Sequence, residues 1–224
     1  MTISFNKFKE KAIPILNINL NAYKSKRVKR RTDSLMRRKR VDSYRDCLAK
    51  LKNDQEFKTA YLNHLTINTS EFFRNPDNFK YLKENILPGL FQNNKERVKI
   101  WSAPCSNGSE PYTLAIILTE LGIKPEKYYL LASDIDSQIL ETAQKGVYGN
   151  NSLKNVPKSY LNKYFTRVSS NQPKYKINSN IKRKVKFEKK DLINDQYKKE
   201  WDLILSRNFF IYLKKEMKEE LTRK

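Results

Sequence analysis

Between residues 98 and 134 the chain reads as strand, loop with one glycine, helix, strand and acid, and that order leaves few folds open. Val98-Lys99-Ile100-Trp101-Ser102-Ala103 has the β-branched and aromatic content of a strand, and Pro104 to Ser109, which includes Gly108, forms the loop. Glu110 to Leu121 carries a helical period through Tyr112, Ala115, Ile116 and Thr119, and Gly122 and Pro125 end it. Tyr128 to Ser133 is a second strand closing on Asp134-Ile135-Asp136, and Ser137 to Lys145 a second helix ended by Gly146. Val185 to Glu188 and Trp201 to Leu205 supply a third and a fourth strand. Strands alternating with helices predict a parallel α/β sheet, which binds nucleotides at the carboxyl ends of its strands. An acid ending the second strand can take both ribose hydroxyls, and Asp134 lies 26 positions after Gly108, near the roughly 20 expected of such an acid. A single glycine does not make the dinucleotide fingerprint. The loop therefore suits a nucleoside cofactor without pyrophosphate, of which S-adenosylmethionine is one. A purely structural βαβ unit with Asp134 as a helix cap fits the same letters.

Residues 1 to about 62 read as short helices with no strand signal. Asp42 and Ser43 cap a helix through Tyr44, Cys47, Leu48 and Leu51, and another holds Phe57, Tyr61, Leu62 and Leu65. Lys24 to Arg40 (KSKRVKRRTDSLMRRKR) contains ten basic residues and one acid, Asp33. Val28, Thr32, Leu35 and Met36 form one narrow helical stripe, leaving Arg27, Arg30, Arg31, Arg37, Arg38 and Arg40 for the exposed faces. With 46 Lys+Arg against 24 Asp+Glu the net charge is +22, so an acidic partner is expected, and charge alone does not choose between nucleic acid, anionic membrane and acidic protein. Asn75-Pro76 reads as cap and first turn of a helix with Phe79, Leu82 and Ile86, stopped by Pro88-Gly89. The Lys/Asn-rich stretch 167–184 has no clear period and reads as a loop or a small exposed hairpin.

Composition narrows the chemistry. Two cysteines, Cys47 and Cys105, exclude a disulfide framework and a four-thiolate zinc site. One histidine, His64, excludes multi-histidine metal centres, and no structural metal is expected. No run approaches the ~18 apolar residues of a membrane span, and the N-terminus lacks the uninterrupted apolar core of a signal peptide, so a cytoplasmic protein with reduced thiols is expected.

Four stretches, LTINTSEFFRNPDNF, IWSAPCSNGSEPYTLA, LLASDIDSQILETAQKGVYG and ILSRNFFIYL, resemble in order the motifs of the CheR-type chemotaxis receptor methyltransferases. The basic KRRTDSLMRRKR and DSYRDCLAKLK segments resemble that family's N-terminal helical domain. The resemblance implies a small helical domain plus a class I, Rossmann-like methyltransferase domain. It implies transfer of a methyl group from S-adenosylmethionine to glutamate side chains of chemoreceptors. The organisation it suggests is a basic helical domain over 1–62, an interdomain segment and helix over 63–96, and the cofactor-binding domain over 97–224.

Residue roles follow from the same resemblance. Asn68, Ser70 and Arg74 stand where the family contacts the cofactor, and a guanidinium at Arg74 suits the methionine carboxylate. Glu110 matches an acid suited to the cofactor's ammonium group, and also reads as a first-turn helix acid. Asp134 matches the ribose-binding acid, and Asp191-Leu192 the usual Asn-Leu near the adenine. Arg207-Asn208 falls beside the transferred methyl and is the catalytic candidate, while Tyr212 reads as packing. Arg30, Arg31, Arg37 and Arg38 would face the acidic cytoplasmic helices of receptors, through which alone the protein would approach a membrane. Ser109 replaces the family's usual Glu and Asp191 its usual Asn. The chain stops at Lys224, just after the fourth-strand motif, where the resemblance leads one to expect further strands, so an open sheet edge is expected there. Two other readings compete: an inactive relative that only docks on receptors, and, less favoured, a nucleic-acid methyltransferase or binder. The latter lacks support from Ser206-Arg207-Asn208-Phe209, which is not the Asn/Asp-Pro-Pro-Tyr/Phe pattern frequent in nucleic-acid N-methylases.

Overall fold

The computed structural model describes residues 3–65, 70–93, 96–169, 172–197 and 200–223. The chain divides into two compact units, one of residues 1–67, 193–195 and 208–224, the other of residues 68–192 and 196–207.

The first unit is helical: α1 (Phe5–Leu16), α2 (Ser25–Arg38), α3 (Tyr44–Asn53) and α4 (Gln55–Leu65). Ser4 and Ser43 cap α1 and α3, their hydroxyls accepting from the amides of Lys7 and Asp46. In α2 the expected stripe is the buried one, Val28, Thr32, Leu35 and Met36. Thr32 is tolerated inside because its hydroxyl bonds the Val28 carbonyl at 2.9 Å and the Tyr61 hydroxyl at 2.7 Å. The unit also takes in the end of the described chain. Ala22, Ile193 and Leu213 form a small core with Tyr23, Phe209, Met217 and Leu221 around it. Tyr23 and Leu213 make an antiparallel bridge, flanked by bonds from Lys24 N to Tyr212 O and Lys214 N to Ala22 O.

The second unit opens with α5 (Pro76–Tyr81), a π-helical turn Leu82–Ile86 and α6 (Leu87–Asn93). One expectation fails here and another holds in position only. Pro88-Gly89 does not stop the helix: the π turn lies directly ahead of Pro88, where a proline ring would otherwise strike the carbonyl four residues back. Asn75 stands at the N-cap of α5 and Pro76 in its first turn, as expected, but the Asn75 side chain does not do the capping. It takes a left-handed backbone (φ 58°) and makes no capping bond.

The elements β1 (Val98–Ser102), α7 (Ser109–Glu120), β2 (Tyr128–Asp134) and α8 (Ser137–Lys145) follow as the periodicity predicts. Next come β3 (Val147–Gly149), α9 (Asn150–Leu153), α10 (Lys158–Tyr164), β4 (Phe165–Ser169), β5 (Lys174–Ile177) and α11 (Ser179–Lys182). The described chain closes with β6 (Lys186–Lys189), β7 (Leu203–Leu205) and, in the helical unit, α12 (Lys215–Arg223). The parallel sheet runs β6-β2-β1-β7, with β1 pairing β2 through Ile100↔Leu130 and β7 through Trp101↔Ile204. β7 is shorter than the sequence suggests and forms one edge, with Ile204 half exposed. One sheet face packs Ile100, Leu130 and Ala132 with Leu114 and Ile117 of α7, and the other carries Trp101, Ala103 and Leu131 beneath Tyr197 and Trp201. β3, β5 and β4 make a separate antiparallel sheet, so the 167–184 stretch does contain a hairpin. Phe165 and Ile177 bury its inner face.

Candidate functional site

The strand order places β1 between β2 and β7, where chain direction around the sheet reverses, and the carboxyl ends of these strands carry the candidate residues. The loop after β1 is tied to β2 by Cys105 N, which donates to Ser133 O at 2.8 Å. Ser106 (φ 50°) and Gly108 (φ 82°) are both left-handed, and the turn aims the Ser106 amide at Asp134 Oδ2, 2.8 Å away. Asp136 N donates to Asp134 Oδ1 at 3.1 Å. The Ile135 amide also supports the carboxylate, and a carboxylate so held can still accept from a vicinal diol. Burial pushes the Asp134 carboxyl up to about 6, against the opposing pull of those amides.

Glu110 is buried at the start of α7. Its Oε1 accepts from the Ser102 hydroxyl at 2.8 Å and its Oε2 pairs with Arg207 Nη1 at 3.4 Å. Burial raises its pKa, while Ser102, Arg207 and Arg74 act in the opposite direction. Arg207 also donates through Nη2 to the Arg74 carbonyl and to Asn75 Oδ1, and its guanidinium lies over the Phe79 ring at 4.7 Å. The Ser70 carbonyl accepts from Asn107 Nδ2 at 3.2 Å, which fixes the 70–75 segment to the glycine loop. Ser106 and Ser109 keep buried hydroxyls with no hydrogen bond among the described residues.

Of the sequence candidates, Arg74, Glu110 and Arg207 form one connected cluster, and Ser70 joins through Asn107 the loop that holds Asp134. Asp191 and Leu192 follow β6 directly beyond Lys190, whose amide donates to the carbonyl of Asp134 at 3.0 Å. Leu192 packs with Trp101 and Leu131. Asn208 is exposed, left-handed at φ 58°, and belongs to the helical unit. Asn68 lies outside the described residues. Ser102, Asn75 and Phe79 are additions that sequence reasoning missed. Ser102, a hydroxyl at the carboxyl end of the first strand, was the one with a readable signal. Among the described residues no cluster of three His, Cys, Asp or Glu can hold a metal, and no helix is long and apolar enough to cross a membrane.

Contrary to the expectation of an exposed position on α2, Arg31 turns inward: its Nε donates to the His64 carbonyl at 2.6 Å and burial lowers its pKa. Arg27 stacks on Tyr212 at 4.7 Å and is likewise only half exposed. Arg30, Arg37, Arg38 and Arg40 are exposed as expected.

Comparison with known proteins decides the family. The model of the CheR methyltransferase all-alpha domain matches residues 3–66, and that of the CheR methyltransferase SAM binding domain matches residues 68–224. This chain belongs to the CheR methyltransferase family. It is 31% identical to the chemotaxis protein methyltransferase of Listeria monocytogenes over 93% of this chain and 78% of that one. It is 32% identical to that of Salmonella typhimurium over 81% of this chain and 62% of the relative. With the Escherichia coli protein it shares 31% over 74% and 57% respectively. S-adenosylmethionine is accordingly the cofactor, and the donor set fits it. The loop has one glycine, and a buried carboxylate, a second buried acid and an arginine suit a nucleoside that carries an amino-acid zwitterion.

A pH effect follows. Because the folded-state pKa of Asp134 lies above the ordinary value of 3.8, its charge costs stability above pH ~6, and that cost disappears as pH falls toward ~4. Ligand binding runs the other way if the diol needs the carboxylate. Affinity for S-adenosylhomocysteine is expected to be full well above pH 7 and to fall about tenfold between pH 7 and 5, measured by calorimetry. Asp134→Asn should flatten that profile, and a flat profile in the unsubstituted protein would remove Asp134 from the ligand site.

Proposed function

We propose that this protein is a cytoplasmic enzyme that esterifies glutamate side chains of chemoreceptors with the methyl group of S-adenosylmethionine. The observation that carries this reading is the convergence of Arg74, Glu110 and Arg207, from three separated motifs, beside the Asp134 loop at the carboxyl ends of a parallel sheet. Asp134 would hold the ribose diol, Glu110 the ammonium group and Arg74 the carboxylate. Asp191 and Leu192 would lie near the adenine, with Asn68, Ser70, Arg207 and Asn208 completing the set. The cofactor supplies an activated methyl group. The acceptor glutamate has an ordinary pKa of about 4.3 and is already a carboxylate at neutral pH, so no protein base is required. What remains for the chain is to bind, to orient and to exclude water. The relatives named as chemotaxis protein methyltransferases support the receptor as acceptor. The test is tritiated S-adenosylmethionine with receptor-bearing membranes and, separately, with duplex DNA. Base-labile label in the receptor is expected. Receptor binding without label would favour a docking module, and label on DNA a nucleic-acid enzyme.

The exposed arginines of α2 suit the acidic receptor helices. Replacing Arg30, Arg37 and Arg38 together by Gln is expected to lower kcat/KM for receptor about tenfold at low salt, with the gap closing as salt is raised. Affinity for S-adenosylhomocysteine should stay unchanged, and an equal loss there would assign these residues to the fold instead. Arg31 is omitted because its guanidinium holds the His64 carbonyl.

A further inference from the structure

We infer that Asn75 is a positioning residue, which fixes the direction of Arg74 by clasping Arg207. The inference rests on the cofactor reading given above. Arg74 sits between two non-glycine residues with left-handed backbones, Phe73 at φ 52° and Asn75 at φ 58°. Such a conformation costs of order 1–3 kcal/mol and persists only where the surroundings enforce it. Phe73 is enforced from within: its ring is buried against Phe79 and Tyr160, and its amide donates to Thr113 Oγ1 at 3.1 Å. Asn75 is exposed and has no comparable burial. What it has is Oδ1, which accepts from Arg207 Nη2 at 3.1 Å.

The same Nη2 donates to the carbonyl of Arg74, and Nη1 of that guanidinium meets Glu110. One planar group therefore grips the main chain on the C-terminal side of Arg74 with one nitrogen and the proposed ammonium-binding acid with the other. Phe79, beneath the guanidinium, limits its rotation. Without the Asn75 carbonyl, Nη2 loses an acceptor and the Arg74–Asn75 peptide loses one of its anchors. The main chain that carries Arg74 is then less firmly held when the ligand arrives, and affinity falls.

This role makes a prediction opposite to that of backbone strain alone. Glycine adopts φ > 0 freely, so if Asn75 served only to permit the turn, Asn75→Gly would bind as the unsubstituted chain does. As a clasp, Asn75→Gly should weaken S-adenosylhomocysteine binding by about fivefold to tenfold, one hydrogen bond's worth. Asn75→Ala should weaken it at least as much and also lower the thermal midpoint. Asn75→Asp keeps an acceptor, now charged, and should bind within about twofold. In turnover assays KM for S-adenosylmethionine should rise in the glycine variant while kcat at saturation holds. The experiment is calorimetric titration of the full chain and the three variants with S-adenosylhomocysteine, with thermal unfolding of each. Asn75→Gly binding as tightly as the unsubstituted chain, or Asn75→Asp losing as much as Asn75→Ala, overturns the clasp. No binding by the unsubstituted chain overturns the cofactor reading itself.

Discussion

Asp134→Asn is expected to weaken cofactor binding strongly without harming the fold. The ionised Asp134 side chain lies almost wholly buried, and its pKa of about 6 means that holding the charge at pH 8 costs the apo-protein ~3 kcal/mol relative to the unfolded chain. The amide removes that cost. It also presents an N–H₂ to one of the backbone amides, such as Ser106 or Asp136, that now point at a carboxylate oxygen. Leaving one such donor unpaired costs about 1–3 kcal/mol, so the two effects nearly cancel. The thermal midpoint at pH 8 should therefore not fall. Binding has no such compensation. A ribose diol donating two hydrogen bonds to a carboxylate loses the charge-assisted part of both, at roughly 1.5–3 kcal/mol each, and the dissociation constant for S-adenosylhomocysteine should rise at least about a hundredfold. A rise below tenfold would place the ribose elsewhere.

Gly108→Ala should damage the fold itself. At φ 82° the residue is in the left-handed region, and a Cβ there would sit 2.8 Å from Ala143 Cβ and 3.3 Å from Ala143 Cα, with Tyr112 Cε2 at 3.2 Å. Ala143 belongs to α8, and its carbonyl accepts from the Tyr112 hydroxyl at 3.0 Å, so α7 and α8 are pinned at this point and cannot part locally. Left-handed strain of ~1–2 kcal/mol and overpacking of ~1–3 kcal/mol add to a loss of roughly 2–5 kcal/mol. For a chain of this size that is a fall of about 5–15 °C in the thermal midpoint. Gly89→Ala is the control. Its Cβ would meet nothing within 4 Å, and the residue lies in helix α6, so the midpoint should hold or rise. A shift under 2 °C for Gly108→Ala would contradict the close α7–α8 contact.

What could be read from the letters was whatever depends on neighbours in sequence. The buried stripe of α2, the Ser43 cap and the βαβ unit from Val98 to Asp134 all rest on local period and composition. Local signals also misled. Pro88-Gly89 is a standard helix stop, but a π turn ahead of it lets the helix continue, and no residue preference announces a π turn. Asn75-Pro76 has the letters of a cap, yet the Asn75 side chain is engaged by an arginine 132 residues away. Arg31 belongs by charge to the exposed face and is turned inward by a main-chain carbonyl 33 residues on. In the site, Asp134 and Glu110 could be singled out because their positions relative to strand and glycine loop are fixed by the fold. The Ser102, Asn75 and Phe79 contacts depend on long-range closure and left no local trace beyond a hydroxyl at a strand end.

The small core of Ala22, Ile193 and Leu213 has a consequence for how the chain is made. At about 5–20 residues per second the ribosome needs roughly 7–30 s between releasing the first four helices and releasing the segment that covers Ala22. Throughout that interval the nascent helical bundle lacks its last wall, with the Tyr23 strand bridge unmade. It waits half-built until the segments that carry Ile193 and Leu213 have been made.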